Sequence, residues 1–520
     1  MNNGKNEAYN LVLAVSGPYG AGASSLTDEL YKILTDWHGC YVEKIRVSEL
    51  IKRYFPIIEK TDLDKIPDDD TSKRREILQN AGTTLRQRDP FITAKAIISE
   101  MSQKTQKLEA EGALGEIGTT VFLVDCLKNR NEVKLLRKVY GDEFYLVYIH
   151  ASRESRWRRE VDYKGWKEEE RVHFEERDQV DHYENKLHKI HGNIGQEVGK
   201  LSAIADYYIV NNQNRENLKT EANRLLETLF GDGKNQPTIQ ERSMHIAYSA
   251  SNRSYCLSRQ VGAAIVDDNG NILGVGHNDV PKANGGLYTQ EDGQNDKRCH
   301  LVGDRRCIND TNKQERFKDL EDEIILRAKI VEEKRSHISE AISSSKFSEL
   351  TEFCRAVHAE MEALLSVARL GRGSTVGATM YVTTQPCHNC IKHVICAGIH
   401  KIAYLEPYPK SLGMELHSDA IDWDPSDDRC LGEKMLVVPY TGVAPHRYHD
   451  FFKIIDERKD KKGFYKRSTK SEQSNNPRFA RNISPRTRKK LDENMPNPIT
   501  AQELAYYGEF TNCLPQDGLS

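Results

Sequence analysis

The 520-residue sequence predicts an α/β protein of two successive units: a parallel sheet with helices on both faces, then an α/β/α layer. Three observations predict it. Short apolar runs alternate with charged helical stretches over residues 10–230, a second such zone over 239–455 opens on a hairpin, and a chain this long exceeds what one core usually organises. With 38% hydrophobic and 29% charged residues, the composition excludes a membrane protein and wholesale disorder. Lys plus Arg at 75 against Asp plus Glu at 78 give a net charge of -3, so no global field announces a polyanion or a lipid surface.

Taken in order, LVLAVSG (11–17), VFLVDCL (121–127) and FYLVYIHA (144–151) read as buried strands. ENLKTEANRLLETLFG (216–231) reads as a helix stopped by glycine, and the polar break GDGKNQPT (231–238) closes a first domain at 1–235. VGAAIVDDNGNILGVGHN (261–278) is two strands joined by the tight-turn signal Asp268-Asn269-Gly270. It opens a second domain, 236–455, interrupted by a charged insertion at about 285–350. The segment 456–520 is basic, with 14 Lys/Arg against 4 Asp/Glu from Lys453 to Lys490, and is expected to be partly flexible. The first residues lack a leader's basic, apolar and small-residue parts, and no apolar run reaches the ~18 residues of a membrane span. A soluble, cytoplasmic protein with no membrane partner is the expectation. Eleven cysteines, scattered from Cys40 to Cys513, point to free, buried or metal-bound thiols rather than a disulfide scaffold.

The chemistry concentrates in His358-Ala359-Glu360 and Pro386-Cys387-His388-Asn389-Cys390. One imidazole and two thiolates make a three-ligand zinc site with a fourth position open to water, the mark of a catalytic zinc. Each set stands at the start of a helical pattern, where the dipole favours thiolates. Glu360, two residues from a ligand, can face the water without binding metal. A structural zinc clip is the alternative, with His388 or His393 as fourth ligand. Cys299, His300, Cys307 and Cys354 offer donors for a second, structural zinc, or are ordinary thiols beside a surface histidine. In the first unit, Gly17-Pro18-Tyr19-Gly20-Ala21-Gly22-Ala23-Ser24-Ser25 follows a strand and precedes a helix, the placement of a phosphate-binding P-loop. Ala23 stands where the phosphate-binding lysine belongs, so phosphoryl transfer is in doubt while nucleotide binding is open. A plain strand–turn–helix connection is the other reading.

The His-x-Glu and Pro-Cys-x-x-Cys signature is that of the zinc-dependent nucleobase deaminases, in which glutamate shuttles protons. Met244 to Asn278, Tyr404-Leu405-Glu406-Pro407-Tyr408-Pro409-Lys410-Ser411 and Thr441-Gly442-Val443 resemble the deoxycytidylate deaminases. That resemblance implies a cytidine-deaminase-like domain in which Asn278 holds the deoxyribose. Arg259, Tyr408 and Lys410 become candidates around sugar and phosphates, or are surface residues on a substrate-facing loop. REILQNAGTTLRQRDP (75–90), VFLVDCLKNRNEV (121–133), ASRESRWRRE (151–160) and FEERDQVD (174–181) resemble nucleoside and nucleotide kinases. In those the second stretch ends a strand at an acidic residue, here Asp125, and Arg156, Arg158 and Arg159 would lie over phosphates or on an exposed helix face.

Joined, a P-loop kinase-like domain without its lysine and a deaminase-like domain resemble the bacterial antiphage deoxycytidylate deaminases. The resemblance implies a hydrolase that converts dCTP and dCMP to deoxyuridine nucleotides during infection. It further implies Zn2+, a nucleoside triphosphate with Mg2+ or an inhibitory factor at the P-loop (Gly17, Gly20, Gly22, Ser24, Ser25, Asp125), and a homo-oligomer. Two other readings stand beside it: a polynucleotide cytidine deaminase gripping nucleic acid with the basic tail, and an active nucleotide kinase with a regulatory C-terminal half.

Overall fold

The computed structural model describes residues 9–36, 40–60, 63, 72–111, 119–164, 167, 195–212, 215–230, 235–329, 334–345, 353–408, 410–423, 433–453, 459, 461–464 and 498–512. The chain forms two compact units, Met1–Pro237 with Tyr440–Ser520, and Thr238–Pro439.

In the first unit β1 (Tyr9–Ser16), β2 (Tyr41–Arg46), β3 (Thr119–Asp125), β4 (Phe144–His150) and β5 (Tyr207–Val210) run parallel in the order β5-β4-β1-β3-β2. Leu11, Leu13 and Val15 pack with Leu26, Leu30 and Leu34 of helix Ala23–Asp36 and with Leu225 and Leu229 of helix Arg215–Phe230. Val12 and Ala14, on the opposite face, are just as buried. A strand covered on both faces has no polar alternation, which is why β1, β3 and β4 read from sequence as continuous apolar runs. β2 lies at the edge and buries only Ile45, and β5 is four residues long, so neither shows such a run.

In the second unit β6 (Gly262–Val266), β7 (Ile272–His277), β8 (Thr379–Thr384), β9 (Lys401–Glu406), β10 (Ile421–Trp423) and β11 (Met435–Pro439) form a sheet in the order β10-β11-β9-β8-β6-β7. β6 is antiparallel to β7 and β8; the other pairs are parallel. The hairpin turn closes with Gly270 N–H donating to the Asp267 carbonyl at 2.9 Å, while the Asp267 carboxylate accepts from the amides of Asn269 and Asn271. One glycine of the hairpin governs a helix packed on it. A Cβ on Gly276 of β7 would lie 2.3 Å from both the carbonyl oxygen of Ala359 and the amide nitrogen of Ala363. Its bare backbone lets helix Ala359–Leu370 lie directly on the strand, fixing where that helix begins.

Two expectations need correction. Residues 440–455, assigned to the second domain from sequence, return instead to the first unit, where β12 (Gly442–Val443) pairs antiparallel with β5. The Tyr440 and Tyr208 rings meet edge-on at 5.7 Å, the Thr441 hydroxyl donates to the Tyr208 carbonyl, and Val443 and Phe451 enter the core. Part of the basic segment is not a tail either. Helix Pro498–Asn512 buries Phe510, its ring edge-on to Tyr54 at 4.8 Å, and Glu509 pairs with Lys95 at 2.6 Å. Most of the rest of 456–520, and the stretch 174–181, lie outside the described residues.

Candidate active site

Two helix starts converge in the second unit, one on a helix packed against β7 and the other directly after β8. His358 is the N-cap of helix Ala359–Leu370 and Cys387 that of helix His388–Cys396, both with extended backbone. The amide of Cys390 donates to the Cys387 carbonyl, closing a turn that aims both sulfurs one way. His358 Nδ1 lies 3.4 Å from Cys387 Sγ and 3.2 Å from Cys390 Sγ. All three donor atoms lie within 4.8 Å of one another, and they are the one such group of three among the described residues. A tetrahedral zinc with bonds of roughly 2.0–2.3 Å separates its ligands by about 3.5 Å, so the donor set fits the ion.

The proton balance agrees with that fit. The Cys387 thiol is drawn down, first by its hydrogen bond with Cys390 and then by His358, against the opposing effect of burial. Cys390, on the other side of that hydrogen bond, is raised. His358 is raised to about 11, by Cys354 first and then Cys387. Donors that share protons so closely are ones a divalent cation can discharge together.

Neither His388 nor His393 joins the group, which leaves one side open. That side faces a cavity of about 480 Å³, lined among others by His358, Glu360, Asn278, Gln385 and Cys387. Glu360 is buried, and burial raises its carboxyl to about 7. A carboxyl poised there takes up and releases a proton near neutrality.

The four residues expected around sugar and phosphate all line this cavity. Asn278 also pins the wall, because Oδ1 accepts from the Val261 amide at 2.7 Å and Nδ2 donates to the Arg259 carbonyl at 2.8 Å. Arg259 pairs with Glu406 at 2.7 Å, and the Tyr408 amide donates to Gln385 Oε1. Lys410 is exposed at the lining.

The expected second zinc quartet is not assembled. Cys299, Cys307 and Cys354 line a separate small cavity, but the fourth cysteine there is Cys256, while the His300 ring stacks on Tyr255 at 5.0 Å. Cys354 lies between the two cavities, lining both, its thiol lowered first by contact with His358. Adjacent Cys299 and His300 point to different neighbours, which their spacing did not reveal.

In the first unit the glycine loop lines a cavity of about 1160 Å³ that includes Gly17, Gly20, Gly22, Ser24, Ser25 and Asp125. Gly22 has φ +97, and a Cβ there would lie 2.5 Å from Asn211 Nδ2. The loop's carbonyls are held by side chains: Gly17 by Lys128 at 2.8 Å, Tyr19 by Arg156, Gly20 by Arg159 and Ala21 by Asn211. Arg156 and Arg159 thus brace the loop, while Arg158 pairs with Glu154 and, like Arg159, lines the same cavity. Asp125 is buried and raised chiefly by that burial, with Ser24 hydrogen-bonded to it. Lys128 and Asn211 carry no local motif and were missed from sequence, as were Asn309, Lys313, Thr384 and Gln385 at the other cavity.

Residues 237–406 match the family model described as the cytidine and deoxycytidylate deaminase zinc-binding region. The chain is 34% identical over 176 residues to the deoxycytidylate deaminase of Enterobacteria phage T4, covering 32% of this chain and 78% of that protein. It is 28% identical over 170 residues to the deoxycytidylate deaminase of Mycobacterium phage D29, covering 32% and 95%. Among solved structures, the dCMP deaminase of cyanophage S-TIM5 in complex with dCMP and dUMP is similar at 23% identity, TM-score 0.22, over 35% of this chain and 93% of that one.

Proposed function

The chain belongs to the family of cytidine and deoxycytidylate deaminases, and from that membership we propose that it hydrolyses the 4-amino group of deoxycytidine nucleotides, dCMP and dCTP, to give deoxyuridine nucleotides and ammonia. One observation carries the reading: three metal donors with an open side, facing a cavity that also holds a buried carboxyl. His358 Nδ1 and the sulfurs of Cys387 and Cys390 would hold zinc. When bound, zinc supplies Lewis-acid activation of water near neutral pH.

The remaining work falls to the chain's own groups. Glu360, buried and poised at about 7, accepts a proton and returns one to the departing amino nitrogen. Asn278 and Gln385 present amide groups along the wall to the ring and sugar, and Arg259, Tyr408 and Lys410 stand where phosphates would reach solvent. Burial keeps bulk water from competing for the proton.

The proposal extends to the fusion. The glycine loop without its lysine is suited to holding a regulatory nucleoside triphosphate with Mg2+, or an inhibitory factor, and to no phosphoryl transfer. A homo-oligomer that drains dCTP during phage infection is the biological form of this proposal. The test is ammonia release by the purified full-length chain on dCMP, dCTP and single-stranded DNA, with and without added nucleoside triphosphates. Deoxyuridine nucleotides are expected, at a rate the triphosphates alter; uracil formed only in the DNA would overturn the choice of substrate. Elemental analysis counts the metal: one zinc per chain leaves the Cys256, Cys299, Cys307 and Cys354 cavity as plain thiols, and two assigns it.

A further inference from the structure

We infer that Gln385 is a positioning residue: it ties the loop from Glu406 to Ser411 to the metal-binding turn and so fixes where Tyr408 and Lys410 meet the substrate. The inference rests on the deaminase reading of the same cavity and gives Gln385 a task that reading does not assign.

The parallel strands β8 and β9 end their pairing at Thr384 and Glu406. Beyond those residues the two chains part. One enters the turn at Pro386 and Cys387, and the other becomes the loop that carries Tyr408 and Lys410 to the cavity. The crevice outside the carboxyl ends of parallel strands is where ligands collect in open α/β sheets. A ladder of backbone bonds alone cannot follow two diverging chains across it, and here side chains extend the pairing.

Three hydrogen bonds join the segments past the strand ends. The Gln385 amide donates to the Glu406 carbonyl at 2.9 Å. Gln385 Oε1 accepts from the Tyr408 amide, serving that N–H as a strand carbonyl would. The Ser411 hydroxyl donates to the Pro386 carbonyl at 2.9 Å. A backbone N–H can only donate, so this contact gives the buried Gln385 side-chain amide a single orientation. The loop also closes on itself, the Ser411 amide donating to the Tyr408 carbonyl at 3.0 Å. Gln385 and Pro386 immediately precede the metal donor Cys387, so the loop is held in register with the metal-binding turn. A loop ordered in advance spares the substrate the cost of ordering it, and that is how a tie away from the reacting atoms acts on affinity.

The experiment compares the full-length wild type with Gln385→Met, Gln385→Glu and Ser411→Ala. Methionine matches glutamine in length but offers the Tyr408 N–H no oxygen, whereas glutamate keeps one. Ser411 stands outside the cavity lining and reaches the substrate only through the loop. The readouts are KM and kcat on dCMP, bound zinc, melting temperature and amide hydrogen exchange across 406–411. Gln385→Met is expected to raise KM about 10-fold, within the range for a buried donor left unsatisfied, with kcat and zinc content unchanged. Ser411→Ala should raise KM by a smaller factor. Loop exchange should quicken in both and stay near wild type in Gln385→Glu. An unchanged KM in Gln385→Met, a matching loss of kcat and zinc, or exchange that quickens equally in Gln385→Glu would overturn the assignment. A wild type that deaminates neither dCMP nor dCTP would sink the deaminase reading itself, and the inference with it.

Discussion

In the second unit two helices begin at His358 and Cys387 and carry side chains into their cavity; in the first, helix Ala23–Asp36 begins at a loop that offers its own backbone. The ionisable groups are deployed differently. Around the glycine loop, Lys128, Arg156 and Arg159 are engaged with the loop's carbonyls, which shapes the loop but commits their charge. Around the metal donors, Glu360 stays buried near its own titration point. One cavity is thus walled by cations already engaged with backbone, and the other holds a buried carboxyl beside three metal donors.

The largest expected effect breaks the comparison on its reactive side. Glu360→Gln should lower kcat about 10²- to 10⁴-fold with zinc retained, by ammonia release and elemental analysis. Wild-type turnover in that variant would remove the asymmetry. Next comes placement: Gly276→Val forces a side chain against Ala359, and the displaced helix should cost about 10²-fold in kcat. An unchanged kcat would show that the helix start is set elsewhere. Smaller still is the expected effect of Gly22→Arg, which fills the loop. It should leave zinc content and basal dCMP turnover intact while abolishing the response to nucleoside triphosphates. A lost basal rate would show that the loop supports the chemistry directly.

The smallest effect concerns pH and the first unit alone. Glu143 is pushed up to about 8, mainly by burial and then by the neighbouring charge of Glu503. A carboxyl raised in the folded state adds stability that is full below its ordinary value of about 4.5 and is lost as pH rises through about 8. Melting temperature should therefore decline across that window, and Glu143→Gln should flatten the decline. An identical slope in the variant would assign the pH dependence to other groups.

How much of this was legible depends on where the signal lies in the chain. His358, Glu360, Cys387 and Cys390 were readable because each pair shares one helix start, so spacing and chemistry coincide. β1, β3 and β4 were readable because burial on both faces leaves an uninterrupted apolar run. β2 and β5 carry too little of that signal, and two residues of β12 acquire strand character only by meeting the edge of β5. Lys128, Asn211, Asn309 and Lys313 reach their cavities from segments without local pattern, so tertiary packing alone identifies them. Cys256 in place of His300 is the same lesson at short range, since neighbours in sequence need not point together.

The pairing of β12 with β5 has a consequence in time. The chain leaves the first unit at Pro237 and rejoins it at Tyr440, so the partner of Tyr208 is synthesised only after the whole second unit. At roughly 5–20 residues per second, the interval of about 235 residues between Tyr208 and Val443 lasts on the order of 10–50 s. For that interval the outer edge of β5 stands on the ribosome without its final neighbour, a period in which another strand could capture it.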